Sequence, residues 1–130
     1  MAVHTLRVPV TFVGLATSTG EAVTFTGFGA LRTRVSRDAE SGEQTLLADF
    51  DMRGIVGLAL PSLTRYVLTH VEFMVLPHQP LQTLAITFPM EPASGSTQRT
   101  LRSGVLKLAV LIDVNTGAAL AINGTSVVLL

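Results

Sequence analysis

The sequence predicts an all-β fold, a single antiparallel domain of about seven strands, and three observations carry that expectation. From Leu46 to Leu60 every second residue is apolar or glycine, through Ala48, Phe50, Met52, Gly54, Val56 and Leu58, while Asp49, Asp51 and Arg53 lie between them. A helix would spread these residues around its circumference, whereas a strand collects them on one face. The same period of two recurs along most of the chain. Short stretches rich in Gly, Pro, Asn and Asp separate the periodic runs, and no repeat, linker or low-complexity tract divides them.

Seven strands follow in order, at 3–14, 20–37, 43–60, 64–76, 81–90, 102–114 and 118–130. In the first, Leu6, Val8, Val10 and Phe12 alternate with polar positions, and Pro9, which has no N–H to donate, places the strand at an edge or bulge. The second and third would each reach about 60 Å if straight, so both are expected to bend, and Gly27, Gly29, Gly54 and Gly57 mark where. One register sets Leu31 opposite Met52, Phe25 opposite Leu58 and Val23 opposite Leu60 on the inner face. On the outer face it sets Arg32 opposite Asp51, Arg34 opposite Asp49 and Phe28 opposite Ile55.

The fourth and fifth strands flank Pro77-His78-Gln79-Pro80 and are expected to pair as a hairpin, with Phe73 against Leu84 and Val71 against Ile86 inside. Tyr66, Leu68, His70, Glu72 and Met74 then lie outside. The last hairpin turns on a three-residue loop, Asn115-Thr116-Gly117, with the glycine in the left-handed position. Leu108, Val110 and Ile112 share one face with Leu120 and Ile122; Val105, Ala109, Leu111, Ala119, Ala121 and Val127 make the other face apolar as well. Two apolar faces need two covers, and one domain has a single core to offer. The architecture is a meander-like β-sandwich or β-barrel with two long bent strands.

Composition narrows the function. The 130 residues carry nine basic and nine acidic side chains, and a net charge of zero lacks the electrostatic footprint of a nucleic-acid or anionic-membrane binder. Charged residues make up only 14% of the chain against an average of about 25%. Little polar surface is therefore available to cover a monomer. The absence of cysteine excludes disulfides, a thiolate nucleophile and cysteine-bound metal. No run of 18 apolar residues reads as a membrane span, the alternating N-terminus is unlike a signal peptide, and an intracellular location is favoured.

Candidate chemistry is sparse. His70 and Glu72, two apart on one strand, point to the same face as a metal or acid/base pair would, but two ligands do not make a site. Asp113-Val-Asn115-Thr-Gly117 starts like a calcium loop and then lacks the distal glutamate, so a hairpin turn accounts for it. Asp38, Glu40 and Glu43 read as a solvated turn. Arg32 and Arg34 read as structural partners of Asp51 and Asp49 rather than as an anion site. Asn123-Gly-Thr125 matches a glycosylation acceptor but falls within a strand. Dinucleotide and serine-hydrolase signatures are missing, and Phe12, Phe25, Phe50, Phe73 and Phe88 are all expected inside, which leaves no aromatic platform for sugars or bases.

No catalytic residue, cofactor or metal is assigned. The sequence is read as a non-enzymatic structural or protein-interaction β module that self-associates, with Val105, Ala109, Leu111, Ala119, Ala121 and Val127 as its interface. The alternative is a β-barrel that binds, or acts on, a small apolar ligand in its interior, with His70 or Arg53 at the mouth. A cavity in the interior is what separates the two.

Overall fold

The computed structural model describes residues 3–16, 21–60, 62–93 and 102–129. Gly20, at the start of the expected second strand, and Leu130, at the end of the expected last one, lie outside them. Among the described residues nine strands run in chain order: β1 (His4–Ala16), β2 (Glu21–Arg37), β3 (Gln44–Asp51), β4 (Ile55–Leu60), β5 (Arg65–Val67), β6 (Val71–Leu76), β7 (Leu81–Pro92), β8 (Arg102–Ile112) and β9 (Ala119–Leu129). They form one antiparallel sheet that does not close, ordered β6-β3-β2-β4-β5-β7-β8-β9, with β1 paired to β2. The expected seven become nine because the third and fourth segments each split in two.

The split of the third segment is a β-bulge. Along one edge β2 pairs with β3 up to Ala30↔Asp51 and then with β4 from Gly27↔Ile55. Between those pairs β2 spends two residues, Phe28 and Gly29, and the opposing chain spends three, Met52, Arg53 and Gly54. The extra residue reverses the faces. Leu46, Ala48, Phe50 and Met52 are buried before it, whereas Ile55 and Ala59 are buried after it and Val56, Leu58 and Leu60 are exposed. Gly27 makes the crossing feasible, because its φ of 130° suits glycine and a Cβ there would strike the carbonyl oxygen of Gly54.

The uninterrupted register is accordingly corrected. Leu31 faces Phe50, Phe25 faces Gly57 and Val23 faces Ala59. Arg32 faces Asp49 rather than Asp51, and Arg34 faces Leu47 rather than Asp49, a shift of two residues.

The fourth segment also changes partners midway. β5 lies between β4 and the end of β7, while β6 has moved across to β3, with Phe73 opposite Asp49 and Val75 opposite Leu47. The expected hairpin of Phe73 with Leu84 is absent: Leu84 faces Leu108, and Ile86 faces Leu106. The loop between β6 and β7 is a crossover fixed from three sides. Gln82, buried, donates from its amide to the carbonyls of Pro77 (2.6 Å) and Gln79 (2.8 Å). His78 Nε2 donates to the carbonyl of Val114 at 2.9 Å. The amide of Ile112 donates to Pro80 at 2.8 Å.

The core is filled by Phe25, Phe50, Phe88 and Tyr66 together with buried Leu, Ile and Val side chains such as Val8, Leu31, Leu46, Ile55, Ile86 and Leu106, and Phe25 meets Phe88 edge-on at 6.0 Å. Tyr66 and Leu68, expected outside, are buried. β1 is an edge strand as Pro9 requires. Phe28, opposite Pro9, sends its N–H to the carbonyl of Gly54 in the bulge before β4, so Pro9 in turn is directed away from β2 and toward the open edge. Beyond that edge lies β9: the two strands pack together without a ladder, and Gly14 abuts Leu129.

Candidate functional site on the outer face of the sheet

Read across the registers, the solvent-facing side of β1–β6 has a charged stripe between two apolar patches. The stripe is built by the bulge. Asp51 ends β3, and Arg53, two residues on, folds back to donate from Nε (3.0 Å) and Nη2 (2.7 Å) to both oxygens of its carboxylate, while the Arg53 amide adds a third bond at 2.9 Å. The Arg53 side chain holds the Asp51 carboxyl down to about 2, with the backbone amide assisting and partial burial opposing. Arg32 Nε donates to Asp49 at 2.7 Å, and the Arg7 guanidinium lies 4.2 Å over the Phe28 ring. An open groove of about 360 Å³ passes Arg7, Phe28, Asp51 and Arg53. With Arg32 and Arg53 already on carboxylates, this stripe is a structural clasp more than an anion receptor.

On one side of the clasp, Val13, Val56, Leu58, Leu60 and Val67 are exposed, joined by Leu63 at the tip of the β4–β5 turn, whose φ is 60°. On the other, the edge strand β6 presents Phe73 and Val75, 75% and 72% exposed, beside the half-buried Leu47. A second open groove of about 360 Å³ runs there between Arg32, Arg34, Asp49, Phe73 and Val75. The expectation that all five Phe face inward therefore fails at Phe73.

The other expected residues fall as follows. His70 Nε2 donates to Glu72 at 3.0 Å in a partly buried pair, and among the described residues no third His, Cys, Asp or Glu joins them to hold a metal. Asp113 spends its carboxylate on the amides of Asn115 (2.9 Å) and Thr116 (3.4 Å). The turn it caps spans Val114–Gly117, one residue longer than expected, closed by Asp113 N–H to Ala118 and by Gly117, at φ 79°, to Asp113. Asp38 caps the β2–β3 turn in the same way through Glu40 and Ser41, and those two amides hold its carboxyl below the usual range.

In the last hairpin, register shifts between Ala109 and Val110 and between Leu111 and Ile112 leave Asn123 and Leu120 as unpaired extra residues of β9. Leu120 turns outward in consequence, while Ala119 and Val127 pack against the chain's own core instead of facing outward. Val105, Ala109, Leu111 and Ala121 stay half-buried, and Leu81 and Val128 flank them, exposed. The sequence reading missed the clasp of Arg53 on Asp51 and the two exposed side chains of β6. The first had a local signal, an acid and a base two residues apart just before a glycine; the second had none, because it depends on which strand β6 joins.

Comparison with protein-family models, curated proteins and solved structures gives no match. Among the described residues no helix is long and apolar enough to cross a membrane.

Proposed function

We propose that this protein is a non-enzymatic structural or interaction module that works by self-association, carried on a β-barrel whose β1–β9 seam is packed but not hydrogen-bonded. The observation that carries the reading is the amount of large aliphatic and aromatic surface left in water on a chain with few charges to solubilise it. Val13, Val56, Leu60, Leu63, Phe73, Val75 and Leu81 all belong to it. An apolar-ligand barrel gains less support, since Phe25, Phe50, Phe88 and Tyr66 occupy the interior and the grooves described above lie open on the surface. Neither His70 nor Glu72 lines those grooves.

The test is the solution mass. Multi-angle light scattering across a wide concentration range is expected to give a mass above that of the 13.8 kDa chain, rising with concentration. A strict monomer up to the solubility limit would overturn the proposal. Within it, Leu111→Arg measures how much of the contact the last hairpin supplies, because a charge buried in a contact there lacks a partner.

A further inference from the structure

We infer that β6 is the self-association edge, pairing antiparallel with β6 of a second copy about a two-fold axis at Phe73; this rests on the self-association proposed above and names its surface. β6 ends the sheet order, and among the described residues no strand covers its far side. Natural edge strands are usually blocked by a lysine, an inward charge, a proline or a bulge. Between Val71 and Leu76 the sequence Val-Glu-Phe-Met-Val-Leu has no lysine, proline or bulge; its single charge, Glu72, is on the core-facing side opposite the buried Phe50, where His70 engages it, and the outward residues Val71, Phe73 and Val75 carry none.

The backbone geometry selects which residues are on offer. Met52 N–H donates to the carbonyl of His70 at 3.0 Å, so the even-numbered residues of β6 turn their polar groups toward β3. Val71, Phe73 and Val75 then turn theirs to the open edge, and these are also the residues whose side chains lie on the outer face. The triplet Val-x-Phe-x-Val reads the same in either direction. A two-fold at Phe73 therefore sets Phe73 on Phe73 and Val71 on Val75, with every N–H and C=O of the three residues matched.

Neighbouring registers are worse. A slip of two residues one way places Glu72 opposite Glu72 of the second copy, a like-charge contact. A slip the other way places Val71 opposite Pro77, which has no N–H to give. In the symmetric register Glu72 instead meets Met74, and each Phe73 is flanked by its own Arg32–Asp49 ion pair. One added strand covers less than the about 1,200 Å² of a stable interface, so the contact is of the weak, concentration-dependent class.

The chain has no cysteine, which makes register-specific cross-linking clean. Paired residues at the axis have Cα atoms about 5.5 Å apart, within disulfide reach, whereas Val71 and its own copy are separated by about 14 Å. Phe73→Cys is expected to oxidise to a disulfide dimer about ten-fold faster than Val71→Cys or Val75→Cys alone, and a mixture of the latter two to form the heterodimer. Phe73→Lys, at a site 75% exposed, is expected to keep the wild-type melting temperature and lose the associated mass. If wild-type protein associates but Phe73→Cys cross-links no faster than its neighbours, β6 is not the interface, although self-association stands. If wild-type protein is monomeric throughout, both readings fall.

Discussion

Two buried polar side chains show how differently a core treats a donor that is answered and one that is not. Gln82, buried on β7, gives both amide hydrogens to loop carbonyls and so holds the crossover between β6 and β7. Thr33, on the inner face of β2 and 2% exposed, has no hydrogen-bond partner for its hydroxyl among the described residues. A hydroxyl in that position costs about 1 kcal/mol or more in lost hydration. Thr33→Val keeps the shape and the β-branching while removing the polar atom, and is expected to raise stability by about 1 kcal/mol, or about 4 °C in melting temperature for a domain of this size. Differential scanning calorimetry of the two proteins checks it, and an unchanged or lower midpoint would mean that the hydroxyl is satisfied in solution. Gln82→Leu has the opposite expectation, because it strands the carbonyls of Pro77 and Gln79.

At the level of elements, the bulge at Met52–Gly54 decides more than any strand does, and it also marks where the sequence stopped being legible. Along β1 and β2 the inner residues are those the alternation indicates, Val8 and Val10 against Val23, Phe25 and Leu31. Past the bulge either parity is apolar, Ile55, Gly57 and Ala59 on one side and Val56, Leu58 and Leu60 on the other, so the period of two cannot choose. Packing chooses the smaller set: a Cβ on Gly57 would already sit 3.1 Å from Val23 and 3.2 Å from Phe25, leaving no room for leucines. The reversal then carries Tyr66 and Leu68 inward.

What holds the bulge is testable through its acid. The Asp51 carboxyl titrates at about 2, below its ordinary 3.8, because Arg53 and its amide bind the charged form. A depressed folded value contributes stability that is fully present above about pH 4 and is lost as the pH falls through about 2. Arg53 is 64% exposed, so solvent screening keeps the contribution under about 1 kcal/mol. Asp51→Asn is expected to lower stability by that amount at neutral pH and to converge with wild type near pH 2, as followed by urea unfolding at each pH; a gap that persists at pH 2 would assign the loss to packing instead.

For the whole molecule the governing facts are a net charge of zero, a sequence pI near 6.8 and a mean hydropathy of +0.51. The described ion pairs, Arg32–Asp49 and Arg53–Asp51, and the His70–Glu72 hydrogen bond each close within one chain and hold the sheet's own geometry. On the self-association proposed above, contacts between copies would rest on exposed aliphatic and aromatic side chains and on strand edges. Such a contact responds to salt in the opposite sense from an ionic one. Raising sodium chloride from about 0.05 to 0.5 M shortens the screening length to a few ångströms and would weaken charge-mediated pairing, yet it leaves apolar burial intact. Ammonium sulfate, being excluded from protein surface, strengthens that burial. Sedimentation equilibrium is therefore expected to give an association constant that does not fall with sodium chloride and rises with ammonium sulfate, with solubility lowest near pH 6.8, where self-repulsion vanishes. Phe73→Lys, which adds a charge at the open edge and removes the largest apolar ring there, is expected to shift the pH of lowest solubility upward and abolish the sulfate response. An association that weakens steeply with sodium chloride would instead locate the contact on the Arg7–Arg53 stripe, where the charges of this outer face are concentrated.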